Sequence, residues 1–115
     1  MRAIKIDPDH CTVELIDISS EEVPGVLGSE LIETIDFQED HCLIIDDGGR
    51  AKEHPTCFRF TKGGRPFFGP VLVMGLQHEN WAPATLKPAS LSNRIIWEEW
   101  DARNERYAEA VAVMG

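Results

Sequence analysis

One stretch constrains the fold more than any other. Residues 40–50 read Asp-His-Cys-Leu-Ile-Ile-Asp-Asp-Gly-Gly-Arg. Four apolar residues in a row, Cys42, Leu43, Ile44 and Ile45, run directly into two aspartates and two glycines. An unbroken apolar run of that length, closed by turn residues, is the pattern of a strand covered on both faces. The Asp-Gly step then reverses the chain, because glycine accepts a positive φ without a Cβ penalty. We therefore expect a central strand over 42–45 and an exit turn at Asp46-Asp47-Gly48-Gly49.

The rest of the chain is arranged around such a strand. Ala3–Ile6 and Thr12–Ile18 alternate apolar and polar residues on either side of Asp7-Pro8-Asp9-His10, the composition of a hairpin turn. Ser19-Ser20-Glu21-Glu22 has a capping serine followed by acids that suit a helix N-terminus, and predicts a short helix ending at Gly28. Leu31–Phe37 reads as a strand that joins the 42–45 strand through Gln38-Glu39-Asp40. Thr56–Phe60 predicts a further strand and Lys62-Gly63-Gly64-Arg65-Pro66 a reversal. Val71–Met74 predicts a second interior strand, with Gly69-Pro70 marking a bend before it, since proline cannot donate to a ladder. Residues 80–89 hold Pro83 and Pro88 and read as a surface loop. Residues 94–100 fit a strand or a helix, whereas 100–114 favour a helix through its alanines and the spacing of Trp100, Arg103, Tyr107 and Val111. Together these elements predict an α+β fold: a mostly antiparallel, bent sheet of five to seven strands, one short helix and a C-terminal helix. The expectation is a single domain over 1–115, with an α+β core at 1–100 and a helical extension at 101–115.

Composition narrows the function classes. Eleven basic residues against 20 acidic ones give a formal charge of −9. Such a surface repels a phosphate backbone, so direct nucleic-acid binding is not expected; it suits a basic protein partner or simple solubility. Three cysteines are an odd count, and the N-terminus lacks the apolar run of a signal peptide, so reduced thiols and a cytoplasmic location are expected. No segment approaches the roughly 20 apolar residues of a membrane span.

Several residue clusters invite a chemical reading. His10-Cys11, His41-Cys42 and His54 with Cys57 are zinc-type donors, and Asp-His-Cys occurs at both 9–11 and 40–42. Adjacent His-Cys pairs are not zinc spacing, however, and neighbours in a strand point to opposite faces; no metal and no cofactor are expected. Cys57 with His54 lacks a third orienting group, so a structural thiol is the better account. Asp46 and Asp47 resemble a carboxylate pair, but a strand end and turn explain them without a second acidic cluster. No catalytic residue is assigned. Lys62-Gly63-Gly64-Arg65, close to Arg59, is a rare basic spot, and Arg59, Lys62 and Arg65 form a candidate site for a nucleotide-like anion. Trp81, Trp97 and Trp100 are split between core packing and contact. Trp97, Glu98, Glu99 and Trp100, mixing aromatic and acidic side chains, are the candidate contact for a basic protein.

The Ile-Asp-Pro at 6–8, Thr-Val-Glu at 12–14, Ile-Asp-Asp-Gly-Gly at 45–49 and Phe-Gly-Pro-Val-Leu-Val-Met-Gly at 68–75 carry a resemblance over about residues 1–100. In that order they resemble a family of small phage and mobile-element proteins known as a domain of unknown function. Gly48 stands where an acid is more usual in that family. The resemblance implies a phage or plasmid setting and transfers no catalytic residue. With it, the expected function is a non-catalytic binding protein that modulates or inhibits a host protein, for instance a defence or nucleic-acid-binding component. The alternative is the anion-binding module around Arg59, Lys62 and Arg65.

Overall fold

The computed structural model describes residues 1–47 and 56–99. Within them the chain forms β1 (Arg2–Asp7), β2 (Thr12–Asp17), a 3-10 turn at Ser20–Glu22, α1 (Val23–Leu27), β3 (Ile32–Phe37), β4 (His41–Asp46), β5 (Thr56–Arg59), β6 (Phe67–Phe68), β7 (Val71–Gln77), β8 (Asn80–Ala82), α2 (Pro88–Ser92) and β9 (Ile96–Glu99). All strand pairings are antiparallel. The larger sheet has the order β2-β1-β7-β4-β3, with β8 pairing the far end of β7; a separate sheet has the order β6-β5-β9.

Two sheets rather than one bent sheet is the main departure from expectation. Phe67-Phe68 and Val71–Gln77 belong to different sheets, and the chain changes sheet at Gly69, whose φ of 70° only glycine adopts without strain. The bend expected at Gly69-Pro70 is thus a change of layer. The fold is mainly sheet, and its helices are short, so the α+β description holds only loosely. Residues 80–89 are not a surface loop: they include β8 and the start of α2, and they bury Ala84 and Leu86. A loop reading fails because Ala84 N–H donates to Arg2 O at 2.8 Å, fastening the segment to the start of β1. Of residues 94–100, Ile96–Glu99 form a strand, since Trp97 packs against the core opposite Phe58. The expected C-terminal helix, Trp100, His54 and the Gly48-Gly49 half of the exit turn lie outside the described residues.

Alternation along the strands builds two cores. Ile4, Ile6, Leu43, Ile45, Val71 and Val73 face the smaller sheet and meet Phe58, Phe67, Leu86 and Leu91. Ala3, Cys42, Ile44, Leu72 and Met74 face the other way and meet Ile18, Val23 and Leu27. Both faces of β4 and β7 are therefore covered, which is why their sequences are continuous apolar runs rather than alternating ones. β4 is interior as expected, but the central position belongs to β7, between β1 and β4. Gly75 lets β8 turn close across β7: a Cβ there would lie 2.5 Å from Pro83 O. The predicted helix after β2 is present and stops at Gly28. At its start the Glu22 carboxylate accepts from Ser19 N–H at 3.0 Å and the Ser19 hydroxyl at 2.9 Å, and these bonds hold its pKa below the usual glutamate value.

Candidate functional site

Pairing of β5 with β9 brings together two regions that are far apart in sequence. Arg59 stands opposite Ile96 and Cys57 opposite Glu98. By strand alternation Cys57, Arg59, Ile96 and Glu98 share the outer face, turned away from Phe58 and Trp97 on the inner one, although Cys57 is itself fully buried there. On the outer face Arg59 Nε donates to Glu98 Oε1 at 3.0 Å, with the two side chains only 17% and 32% exposed. Arg59 Nη1 also donates to Gly64 O, tying the strand to the basic turn. One residue of the expected anion site, Arg59, is thus paired with one of the expected protein contact, Glu98.

This surface has a different chemistry from either expectation. Of the anion-site trio, Arg59 is committed to Glu98 and Gly64, and Arg65 lies 3.8 Å from Glu33 and over the Phe67 ring at 5.4 Å. Lys62 is exposed in the turn. An anion there would compete with two carboxylates already in place. Of the protein-contact residues, Trp97 is half-buried against the core, Glu98 is half-buried in its ion pair and Glu99 is exposed. Neighbouring residues in a strand point to opposite faces, so Trp97 and Glu99 share one face of β9 and Glu98 takes the other.

A row of rings lies behind β9. Phe58 stacks on Phe67 at 5.3 Å, Phe60 meets Phe37 at 5.0 Å, and Trp97 meets Phe58 edge-on at 6.1 Å. Arg94, bonded to Gln38, sits over both Phe37 and Phe60 at 5.7 and 5.5 Å. Phe37, Phe60, Ile95 and Trp97 are only partly covered, and Ile96 is 37% exposed. Among the described residues β9 has a single neighbour, β5, so its other edge carries backbone donors and acceptors without a described strand partner.

Beside this surface, where β4 ends, a cleft of about 330 Å³ is lined by Asp46, Asp47, Arg65, Phe67, Phe68 and Val71. Sequence reasoning treated Asp46 and Asp47 as turn residues, and Asp47 N–H does bond Leu31 O at 2.8 Å. Their meeting with Arg65 and the two phenylalanines depends on how the smaller sheet packs, and no local signal announces it.

His10-Cys11 and His41-Cys42 do not converge. Ile6 pairs with Val71 and His41 with Gly75, so the turn holding His10 and Cys11 and the start of β4 lie at opposite ends of the sheet. His10 Nδ1 is 2.9 Å from Asp7 Oδ2. His41 is buried, and its two nitrogens are divided: Nδ1 donates to Glu39 O at 2.7 Å and Nε2 accepts from Thr85 N–H at 3.0 Å. Carbonyl and amide partners fix the neutral tautomer protonated at Nδ1. No group of three His, Cys, Asp or Glu side chains able to hold a metal occurs among the described residues. Burial pushes the Cys42 thiol up, with Asp36 adding to it. Cys57 is pushed up to about 11, by burial first and by Glu98 second, with Arg59 pulling the other way. A thiol so protonated is a poor nucleophile at neutral pH. No helix among the described residues is long and apolar enough to cross a membrane.

No curated protein and no solved structure matches the chain. A family model described as a domain of unknown function, DUF3846, matches residues 1–95, spanning both sheets up to the approach to β9, and the chain belongs to that family.

Proposed function

We propose that this chain is a non-catalytic binding protein whose contact surface is β9 with the adjoining 59–65 turn, and whose partner is a host protein of basic character. The observation that supports this reading is the Arg59–Glu98 ion pair, which ties β9 to β5, with an aromatic layer on the other face of the two strands. Trp and Arg dominate interface energetics because they offer large, stiff contact area with a polar end. Here Trp97 and Arg94 are held in place by rings before any partner arrives, which lowers the entropy cost of binding. Exposed Glu99 and the net charge of −9 favour a basic partner and speed its approach. The edge of β9 that has no strand partner among the described residues offers backbone bonds to an extended partner segment. Modulation or inhibition of a host component in a phage or mobile-element setting is the biological form this reading takes.

The test is affinity capture from host lysate, followed by binding measurements with the purified candidate. Glu99→Lys and Ile96→Arg, both on exposed positions, are expected to weaken a stoichiometric partner at least tenfold while leaving the melting curve unchanged. Capture that is unaffected by both substitutions would reject β9 as the contact. Thermal stabilisation by a nucleotide that Lys62→Glu abolishes, with no protein partner, would favour the anion-binding alternative.

A further inference from the structure

The outer edge of β3 is a second contact surface, separate from β9, and we infer that it pairs with the same edge of a second copy of the chain, extending the larger sheet through a weak two-fold dimer. Among the described residues β3 has one strand neighbour, β4. Asp47 N–H donates to Leu31 O, and Leu76 N–H donates to Asp40 O. Carried along the registers of β3 with β4 and of β4 with β7, both bonds set the same ladder phase, in which Glu33, Ile35 and Phe37 bond inward to β4. Ile32, Thr34 and Asp36 therefore turn their N–H and C=O groups outward. The pairing with β4 runs from Ile32–Asp46 to Phe37–His41 without a bulge, and residues 31–37 hold neither proline nor lysine, which commonly block exposed edges.

The side chains point to the occupant. An antiparallel copy satisfies the outward groups only where Ile32, Thr34 and Asp36 meet members of that same set. Centred on Thr34, self-pairing sets Thr34 opposite Thr34, Ile32 opposite Asp36, Glu33 opposite Ile35 and Leu31 opposite Phe37. Each carboxylate then faces an uncharged side chain, and Leu31, 69% exposed, gains the partly covered Phe37 ring of the other copy. A register centred on Asp36 would set carboxylate against carboxylate. One centred on Ile32 would run the pairing into Gly28 and Ser29, outside the strand. On the opposite side of the sheet, the β2 edge is flanked by α2. A seam of one strand per copy is small, and the charge of −9 on each chain opposes association. The dimer is therefore weak, and salt strengthens it by screening that repulsion, the reverse of the salt dependence of a basic partner on β9.

The test is sedimentation equilibrium of the full chain from micromolar to millimolar concentration, with amide hydrogen exchange followed by NMR on the same samples. A reversible dimer is expected, tightening about two- to fivefold as salt is raised. At high concentration exchange should slow at Ile32, Thr34 and Asp36 and stay unchanged at Glu33 and Ile35, whose N–H groups already bond β4. Thr34→Lys, at an exposed position, sets ammonium against ammonium on the two-fold axis while lowering the negative charge of each copy. A loss of association of at least tenfold in this variant therefore cannot come from net charge. Thr34→Pro removes an outward donor and no bond to β4, and should give the same loss; either variant suffices if the other fails to fold. A chain monomeric throughout, a dimer that the Thr34 variants leave intact, or one that salt weakens overturns the assignment. So does a dimer kept in Thr34→Lys and lost in Leu15→Lys, which would place the contact on β2. Glu99→Lys, the test of β9, leaves the dimer intact, so the two proposals fail independently.

Discussion

The Arg59–Glu98 pair offers the sharpest test of how the surface is built. Its Nε–Oε1 distance is 3.0 Å and both side chains are mostly shielded. Exposed ion pairs contribute about 0–1 kcal/mol, whereas breaking a fully buried pair costs about 3–5 kcal/mol. This pair lies between, and Arg59 keeps its bond to Gly64 O when Glu98 is changed. A double-mutant cycle with Arg59→Met, which retains the stem, and Glu98→Gln, which retains an acceptor, should give a coupling of about 1–2 kcal/mol in urea unfolding. For a chain of 115 residues each kcal/mol of stability that Glu98→Gln itself loses lowers Tm by about 4–8 °C. A second readout separates this joint from a general packing effect. Cys57 lies beside both groups, and its thiol is pushed up to about 11 by burial and Glu98 while Arg59 pulls it down. Glu98→Gln should therefore lower the Cys57 pKa and Arg59→Met should raise it, measured by thiolate absorbance in a background lacking the other cysteines. The native state holds this proton up to about 11, whereas an unfolded thiol releases it near 9.0. The stabilising contribution is thus complete below pH 9 and lost as pH rises towards 11, so wild-type stability should fall through that window. A coupling below about 0.3 kcal/mol, with both variants shifting Cys57 in the same direction, would refute the geometry.

Two further outcomes follow from backbone and core. His41→Ala removes a donor to Glu39 O and an acceptor for Thr85 N–H and leaves a partial cavity, and should cost about 2–4 kcal/mol in chemical denaturation; Asn and Gln, each able to replace one bond, should recover part of it. The β7–β8 hairpin turns through His78 and Glu79, both at positive φ (50° and 66°), so replacing them with Asn-Gly should raise stability by about 1 kcal/mol, read as a higher urea midpoint with unchanged slope.

Much of the architecture was legible because it is local. The capping serine and Gly28 bound a helix, Asp-Pro-Asp marks a hairpin, and alternation assigns faces to β1 through β4. The expected bent sheet became two because Gly69-Pro70 can break a strand or move it between layers, and only the packing of Phe67 against Phe58 decides which. The prolines of residues 80–89 signal a loop, while the burial of Ala84 and Leu86 depends on the distant start of β1. For the candidate surface, residue types were visible and partners were not. Glu98 looked like an acidic contact and Arg59 like an anion ligand, yet each answers the other across 39 positions.

The stretch from Asp40 shows the division plainly. Its sequence determined that Cys42–Ile45 would be an interior strand, since four consecutive apolar side chains need cover on both faces. The same run ends at two aspartates whose local role is to close the strand. Tertiary structure alone decided that these aspartates would line a cleft with Arg65 and Phe67. That meeting requires a second sheet to fold over the first, and such long-range packing depends on the summed burial of both layers rather than on any residue near Asp46.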